Sequence, residues 1–94
     1  MTLRFRKKPV VIEAFQMTRE RHYDNGDWPQ WLNEAWQKQE GESGAFFRNE
    51  TVLLCIWTLD GVHLVLCDDW IIRGVQGELY PCKPSIFDAT YEPA

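Results

Sequence analysis

Three groups of side chains in this sequence are of the types that do chemistry. Asp68-Asp69 stand directly before Trp70, with Glu78 beyond them, and could offer carboxylates to a divalent cation. Adjacent carboxylates on a strand point to opposite faces, however, and an Asp pair ahead of a strand is ordinarily a solvated turn. His22 and His63 could act as general bases, but neither has a Cys or Ser at a spacing that reads as a nucleophile–base pair. Cys55, Cys67 and Cys82 are separated by 12 and 15 residues, which matches no zinc pattern. Cys55 reads as a small core residue. Cys67 and Cys82 read as more exposed thiols with Lys83 as their one neighbouring cation, and no thiolate is favoured.

Arg73 is the single charge in an otherwise apolar stretch, Trp70 to Gly74. Paired across a hairpin it falls opposite Leu79, with Lys83 further along and with Trp70 and Tyr80 on the other face. The plain reading is a rim arginine whose stem covers apolar surface and whose head reaches water or a carboxylate. The functional reading is an anchor for an anion or a partner, since Arg with Trp and Tyr is the composition of interface hot spots. Arg73, Trp70, Tyr80 and Lys83 are therefore the candidate binding residues. No residue is assigned as catalytic or as a metal ligand, and no cofactor is implied. Gly74 and Gly77 lie in a strand–turn–strand context without the helix N-terminus that a phosphate loop uses.

The elements that must hold these residues follow from length and pattern. A chain of 94 residues fits one domain and buries roughly 60–65% of its unfolded surface. With 45% hydrophobic residues and thirteen aromatic rings (five Trp, five Phe, three Tyr) it is too apolar to read as disordered. The longest aliphatic and aromatic run, Val52 to Trp57, is far short of the ~20 residues that cross a bilayer. The opening MTLRFRKKPVVIEAF is basic and then apolar, but Glu13 interrupts it and no small-residue cleavage site follows, so mature cytoplasmic sequence is expected. An odd number of cysteines argues for a reducing compartment.

Charge is divided unevenly. Through Arg21 there are six bases (Arg4, Arg6, Lys7, Lys8, Arg19, Arg21) and two acids, a net of +4. The remaining 73 residues carry four bases and twelve acids, a net of −8. A field of that sign repels phosphate backbones and argues against general nucleic-acid binding; acidic mimicry of nucleic acid is a minor alternative to plain solubility.

Lys8 to Met17 is β-branched and aromatic, and predicts a strand buried on most of both faces. Thr18 to Asp27 reads as an exposed loop. Asp27 as cap, Pro29 in the first turn and Gln30 at the third position predict a helix over 28–39, ended by Gly41. Its buried stripe is Trp28, Leu32 and Ala35, with Trp31 and Trp36 on the shoulders. Glu40 to Gly44 reads as a linker-like loop. Asp60-Gly61 predicts a two-residue hairpin turn between strands at about 51–59 and 62–67. One face of that hairpin, Leu59/Val62, Trp57/Leu64 and Cys55/Leu66, is wholly apolar. The other, Thr58/His63, Ile56/Val65 and Leu54/Cys67, is polar only near the turn, so both faces are expected to be covered. Val75-Gln76-Gly77 predicts a three-residue hairpin loop with Gly77 left-handed, between strands 70–74 and 78–82, the second an edge because Pro81 lacks a donor. Pro84 starts a short helix that Phe87 and Tyr91 pin to the body. The expected fold is α+β: a mostly antiparallel, curled sheet of about five strands with one main helix and a short C-terminal helix.

The segment DDWIIRGVQGELYPCKPSIFDATYEP, with KKPVVIEAFQMT and WPQWL, resembles a group of small, functionally uncharacterised proteins encoded in tailed-phage genomes and prophages. Their recurrent C-terminal string is close to GDWIIRGVKGEFYPCKPDIFEATYE. The resemblance covers both ends and the helix. It departs at Asp68, where the group has Gly, so a turn with a positive dihedral is less secure here. It implies phage origin and a bacterial host cytoplasm, and brings no activity with it. Three functional classes remain: a non-catalytic accessory protein that binds and modulates or inhibits a host protein, which is favoured; a small-molecule binder with a nucleotide-like ligand held by Arg73, Tyr80 and Trp70; and a minor virion or assembly component, which would self-associate.

Overall fold

The computed structural model describes residues 2–6 and 8–94. Its elements are β1 (Glu13–Gln16), a 3-10 turn (Glu20–His22), α1 (Gln30–Gln37), β2 (Phe46–Arg48), β3 (Leu54–Thr58), β4 (Gly61–Leu64), β5 (Trp70–Arg73), β6 (Leu79–Cys82) and α2 (Pro84–Thr90). The fold is α+β with six strands in two antiparallel three-stranded sheets, ordered β1-β5-β6 and β2-β3-β4. This corrects the expected single curled sheet of about five strands.

The chain changes sheets at Leu66–Asp69, and side chains fix that change. The Asp69 carboxylate accepts the Leu66 N–H at 2.9 Å, and Asp68 takes φ of +70°. Met17 then binds both sides of the turn, donating to the Asp69 carbonyl at 2.8 Å and accepting from the Asp68 N–H at 2.7 Å. The strand that leaves is thereby aligned on β1 and not on β4.

β1 is shorter than the predicted strand, and residues 8–11 are exposed. Its partner sets the limit: Glu13 pairs with Arg73, and Gly74 already starts the β5–β6 turn, so earlier residues meet no ladder. That turn is the expected three-residue loop. The Gly74 N–H bonds the Glu78 carbonyl at 2.8 Å, Gly77 has φ of +83°, and Arg73 lies opposite Leu79. β6, with Pro81, is an edge.

α1 is shorter than the predicted 28–39. Pro29 is the N-cap in extended conformation, and its carbonyl accepts from Leu32 and Asn33, so the helix starts at Gln30. Asp27 does not cap; its carboxylate stands 4.0 Å from the Arg21 guanidinium. Lys38 turns extended, ending the helix ahead of Gly41. Leu32 and Ala35 are buried as expected. Trp28, just before the helix, places its ring against Phe46 and Trp36 and satisfies its indole N–H on the Arg21 carbonyl at 2.9 Å.

The core lies between the sheets. Phe15, Ile71 and Leu79 from one sheet meet Phe46, Leu54, Ile56 and Val65 from the other, with Leu32, Ala35, Trp28 and Met17 filling the gap. On its far side the β1-β5-β6 sheet is covered by α2. Phe87 stacks on Trp70 at 4.0 Å and 6°, and Ile72 is buried there. Burial on both faces explains the unbroken Trp70-Ile71-Ile72 run.

Candidate binding face

The register of β2-β3-β4 decides what it shows to solvent. Phe46 pairs with Ile56 and Phe47 with Cys55; Cys55 pairs with Leu64 and Trp57 with Val62. Cross-strand partners share a face, so Phe46, Ile56 and Leu54 point inward, while Phe47, Cys55, Trp57, Val62 and Leu64 point outward. The wholly apolar face of the hairpin is therefore the one left in contact with water. The two-residue turn is Leu59-Asp60, with Thr58 opposite Gly61, two residues away from the predicted register. Thr58 drives the shift: its hydroxyl accepts the Asp60 N–H at 3.1 Å and donates to the Gly61 carbonyl at 2.8 Å. A two-residue slip leaves each side chain on its predicted face.

On the outward face Val62 is 49% and Leu64 45% exposed, while Cys55 beneath them is fully buried. Phe47 and Trp57 are half-buried with ring centres 6.1 Å apart. Leu53 and Leu66, at the strand ends, are also exposed. A shallow hollow of about 560 Å3 beside Phe47 and Val62 is bordered by Glu40, Arg48, Asn49 and Glu50. A contiguous exposed apolar surface of this kind is the usual mark of an interaction site.

The region after Arg21 is acidic because its twelve acids outnumber its four bases, and each of those bases is also tethered within the chain. Lys38 donates to the Ser43 carbonyl at 3.2 Å. Arg48 donates to the carbonyls of His22 and Val52, with its guanidinium over the Tyr23 and Trp36 rings. Arg73 pairs with Glu13 at 2.8 Å and Lys83 with the buried Asp69 at 3.0 Å.

The four sequence-predicted site residues therefore stand in three environments. Arg73 shares a face and an ion pair with Glu13. Lys83 secures the Asp69 turn. Trp70 and Tyr80 lie on the α2 side, Trp70 under Phe87 and Tyr80 beside Tyr91, where burial and the Tyr91 hydroxyl push the Tyr80 phenol up to about 12. The pocket that a nucleotide-like ligand would need around Arg73, Tyr80 and Trp70 is not assembled, since Arg73 leaves by the opposite face. His63 is exposed on β4, in a hollow with Glu78 and Tyr80, and His22 sits on the 3-10 turn. Among the described residues no three His, Cys, Asp or Glu side chains stand close enough together to hold a metal ion. No helix among them is long and apolar enough to cross a membrane.

Phe47 was not among the predicted site residues, because β2 itself was missed. The signal was Asn49, whose side-chain oxygen accepts from the Thr51 and Leu53 N–H groups at 3.0 Å each and turns β2 into β3. No family model, curated protein or solved structure matches the chain.

Proposed function

We propose that this is a small phage-encoded, non-catalytic accessory protein that binds and modulates a host protein, and that the outer face of β2-β3-β4 is its contact surface. The observation that carries this reading is the exposure of Val62 and Leu64 on a face that also presents Phe47 and Trp57. An aromatic and aliphatic centre with a polar border is the anatomy of a protein interface. Glu40, Glu50 and Asp60 border or flank it against one base, Arg48, whose guanidinium is turned to the His22 and Val52 carbonyls, so the partner that fits is a protein surface with an apolar centre and Lys or Arg around it. The phage origin rests on the C-terminal motif.

The test is capture from bacterial host lysate on immobilised wild-type chain, on Leu64→Lys and on Val75→Lys, a control on the β5–β6 loop. All three must first show the same circular dichroism. The reading predicts one stoichiometric protein retained by wild type and Val75→Lys, lost by Leu64→Lys, and released by raised salt. Absence of a stoichiometric protein, or equal retention by Leu64→Lys, would sink it.

A further inference from the structure

A second apolar feature lies on the opposite side of the molecule. A groove of about 440 Å3 runs between residues 10–12, which lead into β1, and the α2 side, where Trp70, Phe87 and Tyr91 form its floor and wall and Asp88 and Glu92 its rim. That volume is within the roughly 300–1,000 Å3 that takes a well-buried apolar group. The segment that leads away from the groove has the complementary chemistry. Phe5 is 89% and Leu3 66% exposed, alternating with Arg4 and Arg6. The segment has no helix or strand in residues 2–6 and 8–12. The molecule is correspondingly long, 49 × 27 × 22 Å, with a radius of gyration of 14.4 Å, against about 12 Å for a compact chain of this length.

We infer that the N-terminal arm of one copy docks in the Trp70/Phe87/Tyr91 groove of a second copy, placing Phe5 in the groove and Arg4 and Arg6 against Asp88 and Glu92. Charge complementarity selects the occupant: the arm is basic and apolar, the groove apolar with an acidic rim, and both belong to this chain. Within one chain the arm does not fill its own groove: Phe5 is 89% exposed and is not one of the groove's wall residues. Residues 10–12 are a wall of their own groove, and Phe5, five residues from Val10, reaches at most about 17 Å from it. Two copies with these walls adjoining across a two-fold axis therefore place each arm over the other's groove, which closes the assembly as a dimer. The inference is independent of the host-binding face, which lies on the other sheet.

Sedimentation velocity on the full chain between about 10 and 200 µM, where a micromolar dimer is titrated, tests it. Wild type is expected to form a dimer that weakens with salt. Phe5→Ser, and separately Asp88→Lys with Glu92→Lys, should each weaken it by at least about tenfold, the scale of a lost anchor. Adding Arg4→Glu and Arg6→Glu to the second variant should restore association. Phe5 is exposed, so its substitution leaves the fold intact by circular dichroism. A wild-type monomer throughout, a dimer indifferent to Phe5→Ser, or a charge swap that restores nothing would each overturn the inference.

Discussion

Phe46 and Phe47 are neighbours of the same type on one strand, and the structure gives them opposite surroundings. Replacing each by Ala therefore measures which face of β2-β3-β4 is inside. Phe46 is fully buried, with ring centres 5.2 Å from Trp28 and 5.5 Å from Trp36. Phe46→Ala removes a whole buried ring and two aromatic pairs and leaves a cavity, at a cost of about 3–5 kcal/mol. Phe47 is half-buried with one ring partner at 6.1 Å, so Phe47→Ala forfeits about half a side chain's transfer energy, roughly 1 kcal/mol. A chain of 94 residues has a total stability of about 5–14 kcal/mol. Phe46→Ala thus approaches the threshold of unfolding while Phe47→Ala stays well above it. Urea unfolding followed by tryptophan fluorescence separates the two midpoints directly, at unchanged slope. Equal costs, or a larger cost for Phe47→Ala, would mean that the assigned register is wrong and that the proposed contact surface is core.

Backbone and titration predictions follow from other positions. Val52 is β-branched, exposed and held at φ of +64°; Val52→Gly should add about 0.5–1 kcal/mol in urea unfolding, relief of left-handed strain outweighing the flexibility of Gly. Asp68→Gly, at φ of +70°, should give a smaller gain because Asp tolerates that conformation better than Val. His22 has a buried Nε2 without a hydrogen-bond partner, and burial holds its pKa below the ordinary 6.5 despite the Leu66 backbone nearby. Its folded form binds fewer protons than the unfolded chain, so its contribution is complete above pH 6.5 and is lost as pH falls below that value; His22→Asn should flatten that acid limb of a stability–pH profile. Tyr80, raised from 10 to about 12 by burial and then by Tyr91, keeps its proton in the fold after the unfolded chain has lost it. Stability should fall as pH rises from 10 towards 12, and Tyr80→Phe should remove that share and the highest step in a phenolate absorbance titration.

Local chemistry was legible where one residue type dictates one geometry. Gly77 set the β5–β6 loop and hence the Arg73/Leu79 pairing, and Pro84 set the start of α2. The stripe of α1 was readable because Leu32 and Ala35 recur at helical spacing, whereas its ends were not: Pro29 suits both a cap and a first turn, and an extended Lys38 has no sequence signature. Long-range pairing was the harder part. Residues 8–12 have strand composition, but the Gly74 turn of a distant hairpin withdraws their partner. Division into two sheets depends on Met17 meeting the Asp68-Asp69 turn, a contact across half the chain. The candidate face was legible as a list of residues and not as an exterior. Apolar content placed both faces of the hairpin inside; the structure buries the face carrying Leu54, Ile56 and Val65 and leaves Val62 and Leu64 of the other exposed.

Hydrogen exchange on the chain bound to the host protein it retains bears most directly on the proposed mode of recognition. Slowed exchange concentrated in Phe46–Arg48 and Leu54–Leu64, with Pro84–Thr90 unchanged, is the predicted result. Protection centred on Pro84–Thr90, or none across β2, β3 and β4, would contradict it.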